Sequence, residues 1–244
     1  NMKGNTNVRI PRELIEKAKK VNIEIDDKKE EQFYNYMKLL LEWNEKINLT
    51  AITEQNDIIL KHFIDSITIN KYIEQSNSII DIGTGAGFPG IPLKIMNQNK
   101  KITLVDSLNK RINFLNEVCK EISLENIQCI HARAEELASD LEYRENYETV
   151  VSRAVARLNV LIEYMLPFVK KGGLCICMKG PNIDGELEEA KNAIKVLGGK
   201  IKSVESFFLP DSDIERNVII IEKVAETPKK YPRKAGLPSK QPII

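Results

Sequence analysis

The residues most suited to ligand chemistry lie in a glycine-rich segment, residues 83–90, that directly follows an apolar stretch at Ser78–Ile82. Glycine permits a tight turn and lets the backbone approach a ligand closely. Two acids accompany the segment: Asp81 two residues before Gly83, and Asp106 at the end of the next apolar stretch. In an open α/β sheet, ligands bind beyond the carboxyl ends of the strands. The pattern therefore predicts a ligand site at this turn.

The spacing leaves two classes of cofactor open. Read from Gly85, the segment fits the dinucleotide pattern G-x-G-x-x-G, which makes an NAD(P)-dependent oxidoreductase one hypothesis. Read from Asp81, it gives D-x-G-x-G-x-G, which resembles the first motif of class I S-adenosyl-L-methionine-dependent methyltransferases. The ammonium group of S-adenosyl-L-methionine suits a nearby carboxylate, whereas a pyrophosphate would be repelled by it. Pro89 and Pro92 also remove backbone donors that a pyrophosphate needs. Asp106 could bind the ribose of either cofactor, and we favour S-adenosyl-L-methionine.

The absence of certain motifs limits which type of atom can accept the methyl group. Exocyclic base amines are usually methylated through an Asn/Asp-Pro-Pro-aromatic motif after the fourth strand, where this chain has Val151-Ser152-Arg153-Ala154. Carbon methylation needs a nucleophilic cysteine, but Cys175 and Cys177 lie within a predicted strand and not at its end. An acceptor with its own lone pair, such as a purine ring nitrogen, remains. It requires positioning and no general base, so no catalytic residue is assigned. The histidines and cysteines show no zinc spacing, and no metal is expected.

Basic residues follow the carboxyl ends of four predicted strands. They are Lys110 and Arg111 after the second strand, Arg133 after the third, Arg153 after the fourth and Lys179 after the fifth. Because the ends of parallel strands meet at one edge of a sheet, the set predicts a cation-lined mouth that suits a phosphate backbone. Taken singly, each of these residues is better explained as solvated surface, and only the set as a whole favours a function.

The elements behind these residues alternate between short β-branched stretches and stretches of helical periodicity, which predicts a doubly wound, Rossmann-like α/β fold. The predicted strands are Ser78–Ile82, Lys101–Asp106, Ile127–His131, 149–151, 174–178, 201–209 and 217–224; the predicted helices between them are Gly90–Met96, 109–122, 158–169 and 184–197. The last two strands follow one another without a helix, so they give the sheet an antiparallel end. Helical periodicity from 26 to 73, with Pro11 at a possible first turn, predicts an N-terminal helical extension.

The resulting organisation is an extension (1–74), a class I methyltransferase domain (75–226) and a basic C-terminal tail (227–244). The tail holds five basic residues, no acid and four prolines, so we expect an extended segment that binds RNA or simply solubilises the chain. With 42% hydrophobic residues and a net charge of +1, the composition excludes a disordered chain. The sequence has no apolar run near the roughly 20 residues of a membrane span and no signal segment, so we expect no membrane partner and a cytoplasmic location.

Several motifs together resemble the family of small-subunit ribosomal RNA guanine-N7 methyltransferases, RsmG, also called glucose-inhibited division protein B (GidB). The motifs are Trp43-Asn44-x-x-Ile47-Asn48-Leu49-Thr50, His62-x-x-Asp65-Ser66, the segment 81–93, Asp106-Ser107-x-x-Lys110-Arg111, Ser152-Arg153-Ala154 and Lys179-Gly180. The resemblance implies methylation of N7 of one guanine in 16S ribosomal RNA, with naked RNA or the small ribosomal subunit as partner, by a chain that we expect to be a monomer. A non-enzymatic ribosome-assembly factor remains an alternative.

The resemblance and the loop together give two sets of site residues. The expected cofactor-binding residues are Gly83, Gly85, Phe88, Asp106, Ala134, Glu135 and Arg153; the expected RNA-binding residues are Arg111, Arg133, Arg153 and Lys179. His62 and Asp65 are one helical turn apart and are expected as a surface pair, although the resemblance favours a place for Asp65 and Asn48 near the substrate mouth.

Overall fold

A seven-stranded sheet organises the part of the chain that the computed structural model describes, residues 12–244. Its strands are β1 (Ser78–Ile82), β2 (Lys101–Asp106), β3 (Ile127–His131), β4 (Tyr147–Ser152), β5 (Val169–Lys179), β6 (Gly199–Phe208) and β7 (Glu215–Lys223), in the order β3-β2-β1-β4-β5-β7-β6. Strands β1 to β5 are parallel, and β7 runs antiparallel to both β5 and β6. The predicted doubly wound sheet with an antiparallel end is confirmed.

Helices cover both faces of the sheet. They are α1 (Glu13–Lys20), α2 (Asp27–Asn44), α3 (Gln55–Ile58), α4 (Asp65–Ile67), α5 (Gly90–Met96), α6 (Asn109–Glu121), α7 (Ala134–Leu137), α8 (Leu158–Met165), α9 (Asp184–Val196) and α10 (Leu237–Lys240). A π-helical stretch, Ile59–Ile64, joins α3 to α4 without a break. Such stretches are rare and are often found at functional sites. The predicted first turn at Pro11 lies outside the described residues.

The N-terminal helices share one apolar core with a face of the sheet. Phe33 and Tyr36 of α2 pack against Phe63 and Phe88, with ring centroids 5.1 to 5.6 Å apart in the contacting pairs Phe33–Phe63, Tyr36–Phe63 and Tyr36–Phe88. The Tyr36 hydroxyl donates a hydrogen bond to the carbonyl oxygen of Ala86 in the glycine segment. The helical extension is therefore a support for the glycine turn.

Contrary to the sequence prediction, the C-terminal tail is not extended throughout. It forms the single turn α10, in which Pro238 occupies the first turn, where the N–H that proline lacks would have no intrahelical partner. The tail also packs against the domain, because the guanidinium of Arg144 donates to the carbonyl oxygens of Tyr231 (2.7 Å) and Thr227 (3.0 Å).

The predicted helix 158–169 is too long. Helix α8 ends at Met165, and a 3₁₀ turn containing Pro167 follows it, because proline interrupts the helical hydrogen-bond ladder. Strand β5 then begins at Val169, before the predicted start at residue 174, and includes Gly172 and Gly173. Between residues 12 and 244, no helix is both long and apolar enough to cross a membrane.

Candidate active site

A cavity of about 730 Å³ opens at the carboxyl ends of β1 to β4. This is the position where the strand order reverses between β1 and β4, and open α/β sheets bind their ligands at such a point. The lining residues are Ile82, Gly83, Val105, Asp106, Ser107, Arg111, Ala132, Arg133, Ala134, Glu135, Arg153, Ala154, Val155, Ala156, Leu161 and Tyr164. We call it the first cavity. It brings together five of the seven expected cofactor residues.

The glycine segment is shaped by backbone that only glycine adopts easily. Gly83 has φ +67° and borders the first cavity. Gly87 has φ +105°, and a Cβ atom there would lie 2.6 Å from both the Ile91 side chain and the Tyr36 hydroxyl. The turn can therefore lie tightly against α2 and α5 only because it has no side chain at this point.

Asp81 fixes the glycine turn through hydrogen bonds inside the protein. Its carboxyl oxygen Oδ2 accepts hydrogen bonds from the Thr84 hydroxyl (2.7 Å) and from the Gly90 N–H (2.9 Å), and the side chain is fully buried. This burial raises the pKa of Asp81 to about 8. Asp81 does not line the first cavity. The Asp81 carboxyl is therefore not exposed to a ligand in the first cavity, and its contacts fix the loop.

Asp106 is the carboxylate that borders the first cavity at the end of β2. Its Oδ2 accepts the Gly85 N–H at 2.9 Å, and its Oδ1 accepts the Leu108 N–H at 3.0 Å. Gly85 does not itself line the cavity and acts through this bond. Arg111 lies 3.4 Å from Asp106 Oδ1 and lines the same cavity, so the structure places this expected RNA-binding residue beside the carboxylate.

Glu135 is the second acid of the first cavity and lies in α7. Its Oε2 accepts two hydrogen bonds, one from the Arg133 guanidinium (3.2 Å) and one from the backbone N–H of Gly236 in the tail (2.9 Å). The Glu135 side chain is only 5% exposed, whereas that of Arg133 is 51% exposed. Helix α7 and the contact with the tail were not predicted.

A second cavity, of about 430 Å³, adjoins the first and shares Arg153, Ala154 and Val155 with it. The other lining residues are Ile52, Lys61, His62, Asp65, Met178, Lys179, Gly180, Glu186 and Arg216. Lys179 is among them as expected for an acceptor site, but its ammonium lies 2.8 Å from Glu186 Oε1 and donates to the Ala156 carbonyl oxygen. The exposed Asn48 lines neither cavity.

Arg153 occupies the boundary between the two cavities, and residues 61–65 of the N-terminal extension hold its side chain in place. Its Nη1 donates to Asp65 Oδ2 (3.0 Å) and to the Lys61 carbonyl oxygen (2.9 Å), and its Nη2 contacts His62 Nδ1 at 2.9 Å. Asp65 also accepts a hydrogen bond from Arg216 Nε at 2.9 Å. The prediction of a surface pair of His62 and Asp65 is wrong, because both are buried and both contact Arg153.

An aromatic ring backs this arginine. Phe88 stacks on His62, with ring centroids 4.3 Å apart and planes 8° from parallel, and the Arg153 guanidinium carbon lies 5.1 Å from the Phe88 ring centre. Phe88 does not line the first cavity itself, but it contacts Arg153, which does.

His62 is a neutral group in this arrangement. Burial, together with the neighbouring charge of Arg153, lowers the pKa of His62 to about 3. Because Nδ1 then accepts from Arg153, Nε2 carries the proton and donates to the Thr50 hydroxyl at 2.8 Å. His62 is thus fully engaged in positioning Arg153.

Sequence reasoning missed Arg216, Lys61, Glu186 and Tyr164. No spacing signal links Arg216 to Asp65, which lie far apart in the chain and meet only because β7 inserts between β5 and β6. Across residues 12–244, no group of three or more histidine, cysteine, aspartate or glutamate side chains is arranged to hold a metal ion.

Comparisons with known proteins agree with this geometry. The family model GidB, described as rRNA small subunit methyltransferase G, matches residues 29–219. The chain is 53% identical to the ribosomal RNA small subunit methyltransferase G of Alkaliphilus oremlandii, with 94% of this chain and 97% of the relative covered. It is 52% identical to the protein of the same name from Clostridium tetani, with 91% and 94% covered.

Solved structures share the fold at low sequence identity. The precorrin-6y C5,15-methyltransferase of Geobacter metallireducens superposes with a TM-score of 0.51 at 16% identity, covering 72% of this chain and 91% of that one. TYW2 of M. jannaschii, solved in complex with AdoMet, superposes with a TM-score of 0.51 at 18% identity, covering 66% and 77%. The sheet is therefore that of a class I methyltransferase. The match along most of its length and the identity to these relatives show that the chain belongs to the GidB family, rRNA small subunit methyltransferase G.

Proposed function

We propose that this chain is an S-adenosyl-L-methionine-dependent methyltransferase that methylates N7 of one guanine in 16S ribosomal RNA. The observation that carries the proposal is the pair of adjoining cavities with Arg153 at their boundary, one suited to a cofactor and the other to an acceptor. The relatives' names supply the reaction and the class of RNA. A cytoplasmic location and a monomeric state belong to the same proposal.

The first cavity fits the cofactor in size and in donor set. Its volume of about 730 Å³ lies within the range of small-molecule sites. Gly83 gives access to the backbone, while Asp106 and Glu135 supply buried carboxylates that suit hydroxyl and amine donors. We assign Gly83, Asp106, Ala134, Glu135 and Arg153 to direct cofactor binding. Gly85 and Phe88 support the site through Asp106 and Arg153, respectively.

The second cavity fits an RNA base with its phosphates. Four basic residues line it, Lys61, Arg153, Lys179 and Arg216, against the carboxylates of Asp65 and Glu186. Arginine is the commonest side-chain donor to the O6 edge of guanine, and basic side chains also bind phosphates. We assign Arg153, Lys179 and Arg216 to the acceptor side of the site, and the exposed Arg133 to RNA contact at its rim.

Methyl transfer to N7 requires alignment of the two reactants more than proton transfer. S-adenosyl-L-methionine supplies an electrophilic methyl group on a sulfonium, and the N7 atom of guanine has a lone pair that can accept it. No proton must leave N7, so no general base is needed, and His62 is unavailable for that role because both its nitrogens are engaged. The contribution of the chain is to hold the two reactants in line and to exclude water.

The test is to map methylated guanines by mass spectrometry in 16S ribosomal RNA from cells with and without this chain. Purified protein should transfer labelled methyl to the unmethylated small subunit or to its naked RNA, and Asp106→Ala should abolish transfer. Binding of NAD(P) in place of S-adenosyl-L-methionine in calorimetry would support the oxidoreductase hypothesis instead. Full biological function of the Asp106→Ala variant would support the assembly-factor hypothesis.

A further inference from the structure

The C-terminal tail, residues 227–244, crosses the side of the first cavity that α7 and α8 form. The backbone N–H of Gly236 donates to Glu135 Oε2 at 2.9 Å, and Glu135 lines the cavity. Arg133 donates to the same oxygen. Within residues 12–244, the other oxygen of Glu135, Oε1, has no hydrogen-bond donor, so it is the one left to accept from a ligand.

A buried ion pair fixes the tail next to this contact. Glu163 of α8 is fully buried, and Arg233 of the tail satisfies both of its oxygens. Arg233 Nη2 donates to Oε1 at 2.7 Å, and the Arg233 backbone N–H donates to Oε2 at 2.8 Å. The residue after Glu163, Tyr164, lines the first cavity. A buried carboxylate without this arginine would be left uncompensated.

Further contacts hold the tail on both sides of Gly236. Arg144 donates to the carbonyl oxygens of Thr227 and Tyr231 on one side. On the other side, the Asn192 amide donates to the Ile244 carbonyl oxygen at 2.9 Å. Gly236 itself has φ +86°, a conformation that favours glycine, and it directly precedes α10 as its N-cap residue. The segment is thus seated along its length on the wall that carries Glu135.

We propose that the tail is part of the cofactor site, with Arg233 and Gly236 as positioning residues for Glu135. The Gly236 N–H occupies Oε2 of Glu135, and the Arg233–Glu163 pair keeps Gly236 in place, so that Oε1 is directed at the ligand. The inference rests on the proposed function, because it takes the first cavity as the cofactor site. It gives the tail a task besides any contact of its lysines with RNA.

The experiment measures binding of S-adenosylhomocysteine to the full-length protein by calorimetry, without RNA. Arg233→Met and Gly236→Ala should each raise the Kd about tenfold or more, whereas kcat at saturating cofactor should change less than threefold. The matched control is Arg157→Met, because Arg157 also pairs with a glutamate, Glu189, next to α8. This pair is exposed, and neither residue lines the first cavity. The control variant should bind like the wild type.

A double variant separates positioning from folding. Arg233→Met with Glu163→Gln removes the uncompensated charge, so the Tm should recover while the Kd for S-adenosylhomocysteine stays raised. Recovery of the Kd together with the Tm would overturn the inference, and so would an unchanged Kd in both single variants. No binding by the wild-type chain would instead overturn the proposed function and the inference with it.

Discussion

Asp65→Asn is the substitution that most directly tests the acceptor site. The Asp65 side chain is 2% exposed and holds two guanidiniums, accepting from Arg153 Nη1 on one oxygen and from Arg216 Nε on the other. Asparagine keeps the shape but has only one oxygen, so one arginine must face an amide donor. We expect that arginine to leave its place in the second cavity while the fold is kept.

The magnitude follows from the hydrogen bond that the substitution removes. A hydrogen bond to a charged group contributes about 1.5–3 kcal/mol. The side chains of Arg153 and Arg216 are 23% and 22% exposed, so water can replace part of that hydrogen bond, and we take this range as the whole effect without adding a Coulombic contribution. At about 1.4 kcal/mol for each factor of ten, kcat/KM for methyl transfer should fall roughly 10- to 150-fold.

The assay is single-turnover transfer of labelled methyl to unmethylated small-subunit RNA. Asp57→Asn is the matched control, because Asp57 is a half-exposed carboxylate in the same helical stretch, 3.5 Å from Lys61. An i,i+4 surface pair of this kind contributes only about 0.3–0.5 kcal/mol, so its removal should change the rate about twofold or less. A folded Asp65→Asn variant with the wild-type rate would refute the reasoning, as would an equal decrease in the control.

Three further predictions concern charge and pH. Replacing the exposed Lys229, Lys230 and Lys234 by alanine should weaken RNA binding without changing cofactor affinity. The slope of log K against log salt concentration should flatten by about one unit for each phosphate that the tail no longer binds. An unchanged slope in salt titrations would show that these lysines are solvated surface and do not contact RNA. Burial raises the folded-state pKa of Asp81 from 3.8 to about 8, so the free energy of unfolding should fall as pH rises between those values. Asp81→Asn should make that fall smaller in denaturant titrations. An unaltered pH profile would show that Asp81 does not have the raised pKa. The folded-state pKa of His62 is lowered from 6.5 to about 3, so its contribution to the free energy of unfolding is present above pH 6.5 and is lost as pH falls towards 3. In His62→Gln the free energy of unfolding should therefore fall less over that pH range. An equal fall in the variant and the wild type would contradict this role of His62.

Much of the sheet and of the first cavity could be predicted from the sequence, because both depend on local signals. The bounds of β1, β2 and β3 match the predicted strands, since β-branched apolar runs end at polar or turn-forming residues. Once five parallel strands are placed, topology dictates that their carboxyl ends share one edge. Gly83 and Asp106 therefore meet as predicted.

The second cavity could not be predicted in the same way, because its geometry is non-local. Asp65 reads as a surface residue in its helical stretch until Arg153 and Arg216 converge on it from β4 and β7. The role of the tail did have a signal that the prediction did not use. Glu163 is the only charged residue of α8, whose other buried residues are apolar except for Asn159, and a carboxylate buried in that way requires a cation.

Pairing changes what the basic residues mean for RNA recognition. Arg111 lies against Asp106, Lys179 against Glu186 and Arg233 against Glu163, so three of the cations that the sequence offers to a phosphate backbone are already paired with carboxylates of the protein. These pairs hold the walls of the two cavities in place. We therefore expect electrostatic attraction over long distances to come from exposed basic side chains, among them the tail lysines and Arg133. On the proposed function, we expect the selection of one guanine to depend on the shape of the second cavity and on the fixed guanidiniums of Arg153 and Arg216, since paired charges give specificity through geometry more than through net attraction.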